Sequence, residues 1–211
     1  MNTDDLIAQL SSTAAPVKRL APPMARALTW LAAIAVLSAV PILLRSNLPV
    51  FAQRASDPRV AIELFATLAT GVAGVIAAFH LSIPGRSRAW AWLPAPFALL
   101  WVVISGVGCL QFLPEQEQAG WAIGQRHYCF LFLLGVGVPL AGLLVLVLRR
   151  ARPLQPRLVA SVGALGVAGL AGFILQFFHP FDITVMDMAT HLVALALIVG
   201  FVDLVSRPAL K

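Results

Sequence analysis

The sequence predicts an all-α polytopic membrane protein, a bundle of six transmembrane helices with both termini in the cytoplasm. Three observations predict it. Hydrophobic residues make up 60% of the chain and charged ones only 11%. The apolar residues gather into six runs separated by short polar breaks, and Arg and Lys crowd alternate breaks. A helix needs about 20 predominantly apolar residues to cross ~30 Å of hydrocarbon, because its backbone polar groups must be paired within the segment. Such a composition excludes an ordinary soluble domain. The net charge of +6, which in a soluble chain would point to nucleic acid, here marks loops that stay inside.

Residues 1–25 form the only sizeable segment outside the membrane and constitute a cytoplasmic domain ahead of a six-helix domain at 26–211. Asn2 or Thr3 can cap a short helix whose first turn carries Asp4 and Asp5, matching the positive end of the helix dipole. Leu6, Ile7 and Leu10 then share one face. About ten residues are too few for a stable isolated helix in water, so this element requires a surface to fold on. That surface is either a partner's groove or the lipid itself. The stretch that follows, with Pro16, Val17, Lys18, Arg19, Leu20, Pro22 and Pro23, is held extended by its prolines. Lys18 and Arg19 suit an acidic partner surface.

The six runs span 27–44, 60–83, 90–113, 128–148, 157–178 and 184–205. The first is no cleaved signal peptide, since it follows an acidic start and lacks a small-residue cleavage site. With the amino terminus inside, the cytoplasmic basic residues are Lys18, Arg19, Arg26, Arg86, Arg88, Arg149, Arg150, Arg152, Arg157, Arg207 and Lys211. The outer set is Arg45, Arg54, Arg59 and Arg126, a split of 11 to 4 that sets the orientation. Pro94 and Pro96 fall in the first turns of the third run, where proline costs little, and Pro139 should kink the fourth. Gly163, Gly166, Gly169 and Gly172, with Ala160, Ala164 and Ala168, give the fifth run a small surface that permits close approach and a central position.

Two cysteines, Cys109 and Cys129, flank the loop between the third and fourth runs on the predicted outer side. Antiparallel neighbouring helix ends could bring two such Cα atoms within the roughly 4.4–6.8 Å that a disulfide needs. The pair reads as a bridging or sensing thiol site in an oxidising compartment, or as two small apolar packing residues. His127, His179, Asp182 and His191 fall at the same face, so soft thiolates and imidazoles could hold a heavy-metal ion such as Zn, Cd or Cu. No C-x-x-C or H-x-x-x-H spacing accompanies them, and His179 and Asp182 equally suit a structural cap of a tight turn. Glu63 and Asp187 are acids close to or within apolar runs, where ionisable groups face the bundle interior or water; either could pair with Arg59 or a histidine, and either could equally sit at the headgroup level. His80 stands alone near the inner end of the second run.

No nucleotide loop, nucleophile motif or H-E-x-x-H occurs, so an enzyme is not expected. A membrane thiol oxidoreductase would want C-x-x-C and commonly a second pair. A haem-binding or transport protein would have to rest on His179 and His191. Neither a small-molecule substrate nor a resident cofactor is expected, nor direct contact with nucleic acid.

Several stretches together carry a family resemblance: D-D-L-I-x-x-L at the start, P-V-K-R-L-A-P-P running into R-A-L-T-W-L, D-P-R at 57–59, P-G-R-S-R at 84–88, G-C-L at 108–110, H-Y-C at 127–129 and F-H-P-F-D at 178–182. In order and spacing the chain resembles the NrsF-type six-span membrane anti-sigma factors of proteobacteria. The resemblance implies a negative regulator, in the inner membrane, of an extracytoplasmic-function sigma factor, which it releases on heavy-metal or oxidative stress. It implies that Cys109 and Cys129 carry the response. Sigma binding would fall to the amino-terminal segment, here Asp4, Asp5, Leu6, Ile7 and Leu10 with Pro16, Val17, Lys18, Arg19 and Leu20.

Overall fold

The computed structural model describes residues 2–13, 19–111, 126–178, 189, 192–194, 196–202 and 204; within its helices, side chains are described except at 109, 111 and 126–129. Among these residues there is no strand. In chain order the elements are α1 (Thr3–Thr13), α2 (Pro23–Arg45), α3 (Leu48–Ala55), α4 (Pro58–Leu81), a 3-10 turn (Arg88–Trp92), α5 (Ala95–Gln111), α6 (Arg126–Leu148), a second 3-10 turn (Arg149–Ala151) and α7 (Pro156–Leu175). A shorter apolar helix, α8, covers Leu192–Val202.

Five stretches are long and apolar enough to cross a membrane: Pro23–Arg45, Pro58–Leu81, Arg88–Gly108, Phe130–Ala151 and Pro156–Leu175. They coincide with the first five expected runs. The sixth expected run is described only through α8, which is shorter than a crossing, because most of its first turns lie outside the described residues. Proline opens several of these helices at N1 or N2, where its missing N–H is no loss, as at Pro23, Pro58 and Pro156. Asp57 caps α4, its carboxylate accepting from the Arg59 amide at 2.8 Å. Pro41 lies inside α2 and Pro139 inside α6.

The bundle is built around α4 and α7. Their pairing is antiparallel, and glycine makes it close: a Cβ at Gly74 would meet the Gly166 backbone at 2.6 Å, and one at Gly169 would meet the Gly71 amide at 2.7 Å. Without side chains at these crossings the two backbones touch, so dispersion between main-chain atoms replaces side-chain packing. Accordingly α7 is the most enclosed span, with 72% of its apolar window buried against 17% for α2 and for the third span. The expectation of a central fifth run holds for that reason. Against this pair lie α5, packed chiefly on α4; α6, packed chiefly on α7; and α2, packed on α4. Trp30, Ile34, Phe79, Leu144, Leu148, Val159 and Ile198 fill the core between them.

The outward faces are apolar as well. Leu37, Leu43, Leu44, Leu99 and Leu110 are each more than 60% exposed. A continuous apolar belt of this extent is untenable in water and is the surface a bilayer covers. The chain is a membrane protein by that pattern.

Candidate functional site

The two ends of the bundle are chemically different, and each holds polar groups that the apolar spans do not require. At the end where α4 begins and α5 finishes, Glu63 is only 3% exposed and accepts a hydrogen bond from Ser105 Oγ at 2.9 Å. The acid sits on the α5-facing side of α4 because the alternative is lipid, and the hydroxyl supplies a donor where water is excluded. One turn before Glu63 stands Arg59, whose guanidinium occupies the space a side chain at Gly108 would need. Gly108 is thus the residue that admits the cation, and position 109 follows it on α5. Glu63, expected to pair with Arg59 or a histidine or to sit at the headgroup level, is buried and accepts from Ser105, a residue the sequence did not single out.

Position 109 lies near the end of α5 and position 129 in the first turn of α6. Their side chains, that of His127, the whole of His179, Asp182, Asp187 and His191, and the connecting residues 112–125 lie outside the described residues. The two helices have different principal partners, α4 for α5 and α7 for α6. Among the described residues no group of three or more His, Cys, Asp or Glu side chains could hold a metal. At this end the 8-residue α3 lies between α2 and α4, with Asn47 Oδ1 accepting from Val50 N at 3.3 Å. Phe51 of α3 stacks on Phe177 at 4.1 Å, and a cleft of about 290 Å³ opens between Arg45, Asn47, Arg54 and Gln176.

At the opposite end, where α2 begins and α4 and α6 finish, Arg26 Nη2 donates to the Val147 carbonyl at 3.0 Å, and its guanidinium carbon lies 5.2 Å from the centre of the Phe79 ring. His80 does not stand alone: its ring stacks on Trp90 at 3.8 Å and 12°. Gly85, at φ +81° with open space around it, makes the left-handed turn that brings the chain back from α4 toward Trp90. The basic residues Arg86, Arg88, Arg149, Arg150 and Arg152 lie on the short connections at this end, and Arg157 in the first turn of α7.

The amino-terminal segment joins the bundle here. α1 has no buried residue. Its start is fixed locally: Asn2 precedes the helix, the Leu6 amide donates to the Asn2 carbonyl, and Asn2 N donates to Asp5 Oδ2 at 3.3 Å, the back-bond of a capping box. Leu6, Ile7 and Leu10 are 40%, 59% and 61% exposed, an apolar face left open among the described residues. Arg19 and Leu20 are exposed on the extended run into α2. Pro16, Val17 and Lys18 lie outside the described residues.

The described residues thus form an apolar helical bundle with an exposed amphipathic helix ahead of its first span. A family model described as "NrsF: Negative regulator of sigma F" matches residues 10–211, and the chain belongs to that family. Its class is therefore that of regulators acting on a sigma factor. No curated protein and no solved structure gives a match to the chain. The family match begins at Leu10, so Asp4, Asp5, Leu6 and Ile7 precede it, and their assignment rests on their own chemistry.

Proposed function

We propose that the chain is an inner-membrane anti-sigma factor that holds an extracytoplasmic-function sigma factor against the cytoplasmic face and releases it on heavy-metal or oxidative stress. The observation that carries the reading is the exposed Leu6, Ile7 and Leu10 face of α1, in a member of a family of negative regulators of sigma F. An isolated helix of that length gains most of its stability from whatever covers its apolar face. A hydrophobic groove on the sigma factor is that cover, with Arg19 and Lys18 meeting acidic residues beside it.

In this reading the chain crosses the bilayer six times with both ends inside, and the Arg26 end of the bundle is cytoplasmic. Basic residues favour that assignment, since those on the connections at the Arg26 end outnumber Arg45, Arg54 and Arg59 at the other. Positions 109 and 129 then face the oxidising compartment. Two thiols there can lose two protons and pass two electrons to an oxidant as one S–S bond forms, or lose both protons to a soft cation held as a bis-thiolate. No resident cofactor is needed. Either product ties α5 to α6, helices that otherwise pack on different partners, and so biases the bundle toward a second arrangement.

The test is the double variant Leu6→Asp, Leu10→Asp. Burying one leucine is worth about 1.5–3 kcal/mol, so the pair should weaken sigma capture by at least about a hundredfold while membrane insertion persists. Undiminished capture by the double variant refutes the assignment.

A further inference from the structure

A stress signal at positions 109 and 129 has to reach a peptide at the other face, and one side chain in the bundle stands at both ends of that requirement. Arg26 lies three residues beyond Pro23, where the extended tether becomes α2. Its Nη2 donates across to Val147, in the last turn of α6. The final carbonyls of a helix carry the negative end of its dipole and have unused acceptor capacity, so a guanidinium is the cation suited to them. The same α6 carries position 129 in its first turn. α6 runs continuously from Arg126 to Leu148 with Pro139 inside it, so tilt or translation imposed at its first turn is carried toward Val147.

Among the described residues the contact is not fully satisfied. Arg26 Nη1 is buried with no hydrogen-bond partner among the described residues. The Phe79 ring offers its negative face in partial compensation. Arg150 stands on the 3-10 turn just after α6, at the same end of the bundle. A cation incompletely satisfied among the described residues can follow α6 toward lipid phosphate and water at low cost. That is what a two-position element requires.

We propose that Arg26 is the positioning residue that couples α6 to the tether: through its bond to Val147, displacement of α6 is carried to the start of α2 and changes how the amino-terminal segment leaves the bundle. The inference rests on the anti-sigma reading above and adds the route by which the bundle controls the peptide.

The experiment compares the full chain with Arg26→Met, Arg26→Lys and Arg150→Glu at matched membrane levels. Each is tested for the sigma factor retained on isolated membranes before and after diamide or cadmium chloride. Arg26→Met should capture the sigma factor as the unaltered chain does, because α1 and the tether are intact. Its stress-dependent release should fall at least about fivefold, the lower end of usual coupling free energies. Arg26→Lys keeps one charged donor for the Val147 carbonyl and should restore much of the release, which a purely packing role would not predict. Should Arg26→Met fail to accumulate, Arg150→Glu alters an exposed residue and offers the guanidinium a competing carboxylate. The diamide dose for half release should then move by about fivefold or more. Full release by Arg26→Met, or an unmoved dose in Arg150→Glu, overturns the inference while leaving the anti-sigma reading standing. Absence of any sigma factor on membranes of the unaltered chain overturns both.

Discussion

At the scale of single residues, the bundle spends its few polar groups where α4 meets its neighbours. Ser105 is the donor that Glu63 accepts in a site shielded from water. Ser105→Ala removes that hydrogen bond to a buried carboxyl, a loss of about 1–3 kcal/mol. Thermal unfolding in detergent should register that loss. Thr29→Ala, which removes an exposed hydroxyl bonded only to the Ala25 carbonyl of its own helix, should change stability by no more than about 0.5 kcal/mol. Equal melting of the two variants would contradict the buried role of Ser105. The sequence made Glu63 conspicuous because an acid in an apolar run demands a partner. It could not make Ser105 or Gly108 conspicuous, since serine and glycine are ordinary in membrane helices and only the pairing of α4 with α5 selects these two. Arg26 was legible as one more inside charge; its bond to Val147, 121 positions away, depends on packing that no local pattern encodes.

At the scale of elements, helix existence was legible and helix partnership was not. Length and apolarity of a run follow directly from the thickness of the bilayer, which is why the first five crossings fall where the runs do. The small-residue surface of α7 also announced close packing, but that α4 supplies the matching Gly71 and Gly74 emerges only from the register of the pair. The crossing has a sharp test. Gly166→Ala places a methyl group against the α4 backbone and should cost about 1–3 kcal/mol, whereas Gly142→Ala, with nothing within 4 Å, should be tolerated. Detergent melting of the two variants checks this, and a tolerated Gly166→Ala would mean that the helices can separate freely. The amphipathic α3 was missed because its 8 residues sit between turn-forming Ser46-Asn47 and Ser56-Asp57 in a stretch that reads as loop. In α1 the capping pattern was readable, including the acids of the first turn, and the back-bond from Asn2 to Asp5 gives that pattern its geometry.

At the scale of the whole molecule, the account joins a thiol pair at one face to a peptide at the other, and both the sidedness and the switch can be tested. A periplasm-only reporter fused after Gln118 should be active and one fused after Arg152 silent, as the distribution of basic residues requires. The reverse pattern would place Cys109 and Cys129 in a reducing compartment and remove the redox mechanism. With the sidedness as proposed, Cys109→Ser and Cys129→Ser should each abolish induction of the sigma factor's promoter by cadmium or dichromate without lowering the amount of protein in the membrane. Normal induction in both single variants would leave the cysteines as packing residues. The claim on which the rest depends is that the amino-terminal segment holds the sigma factor. Its most direct measurement is co-purification from unstressed membranes of the intact chain and of a chain lacking residues 1–25, at equal membrane abundance. The account predicts that a sigma factor accompanies the intact chain and is absent from the shortened one; its equal recovery with both, or its absence from both, would contradict it.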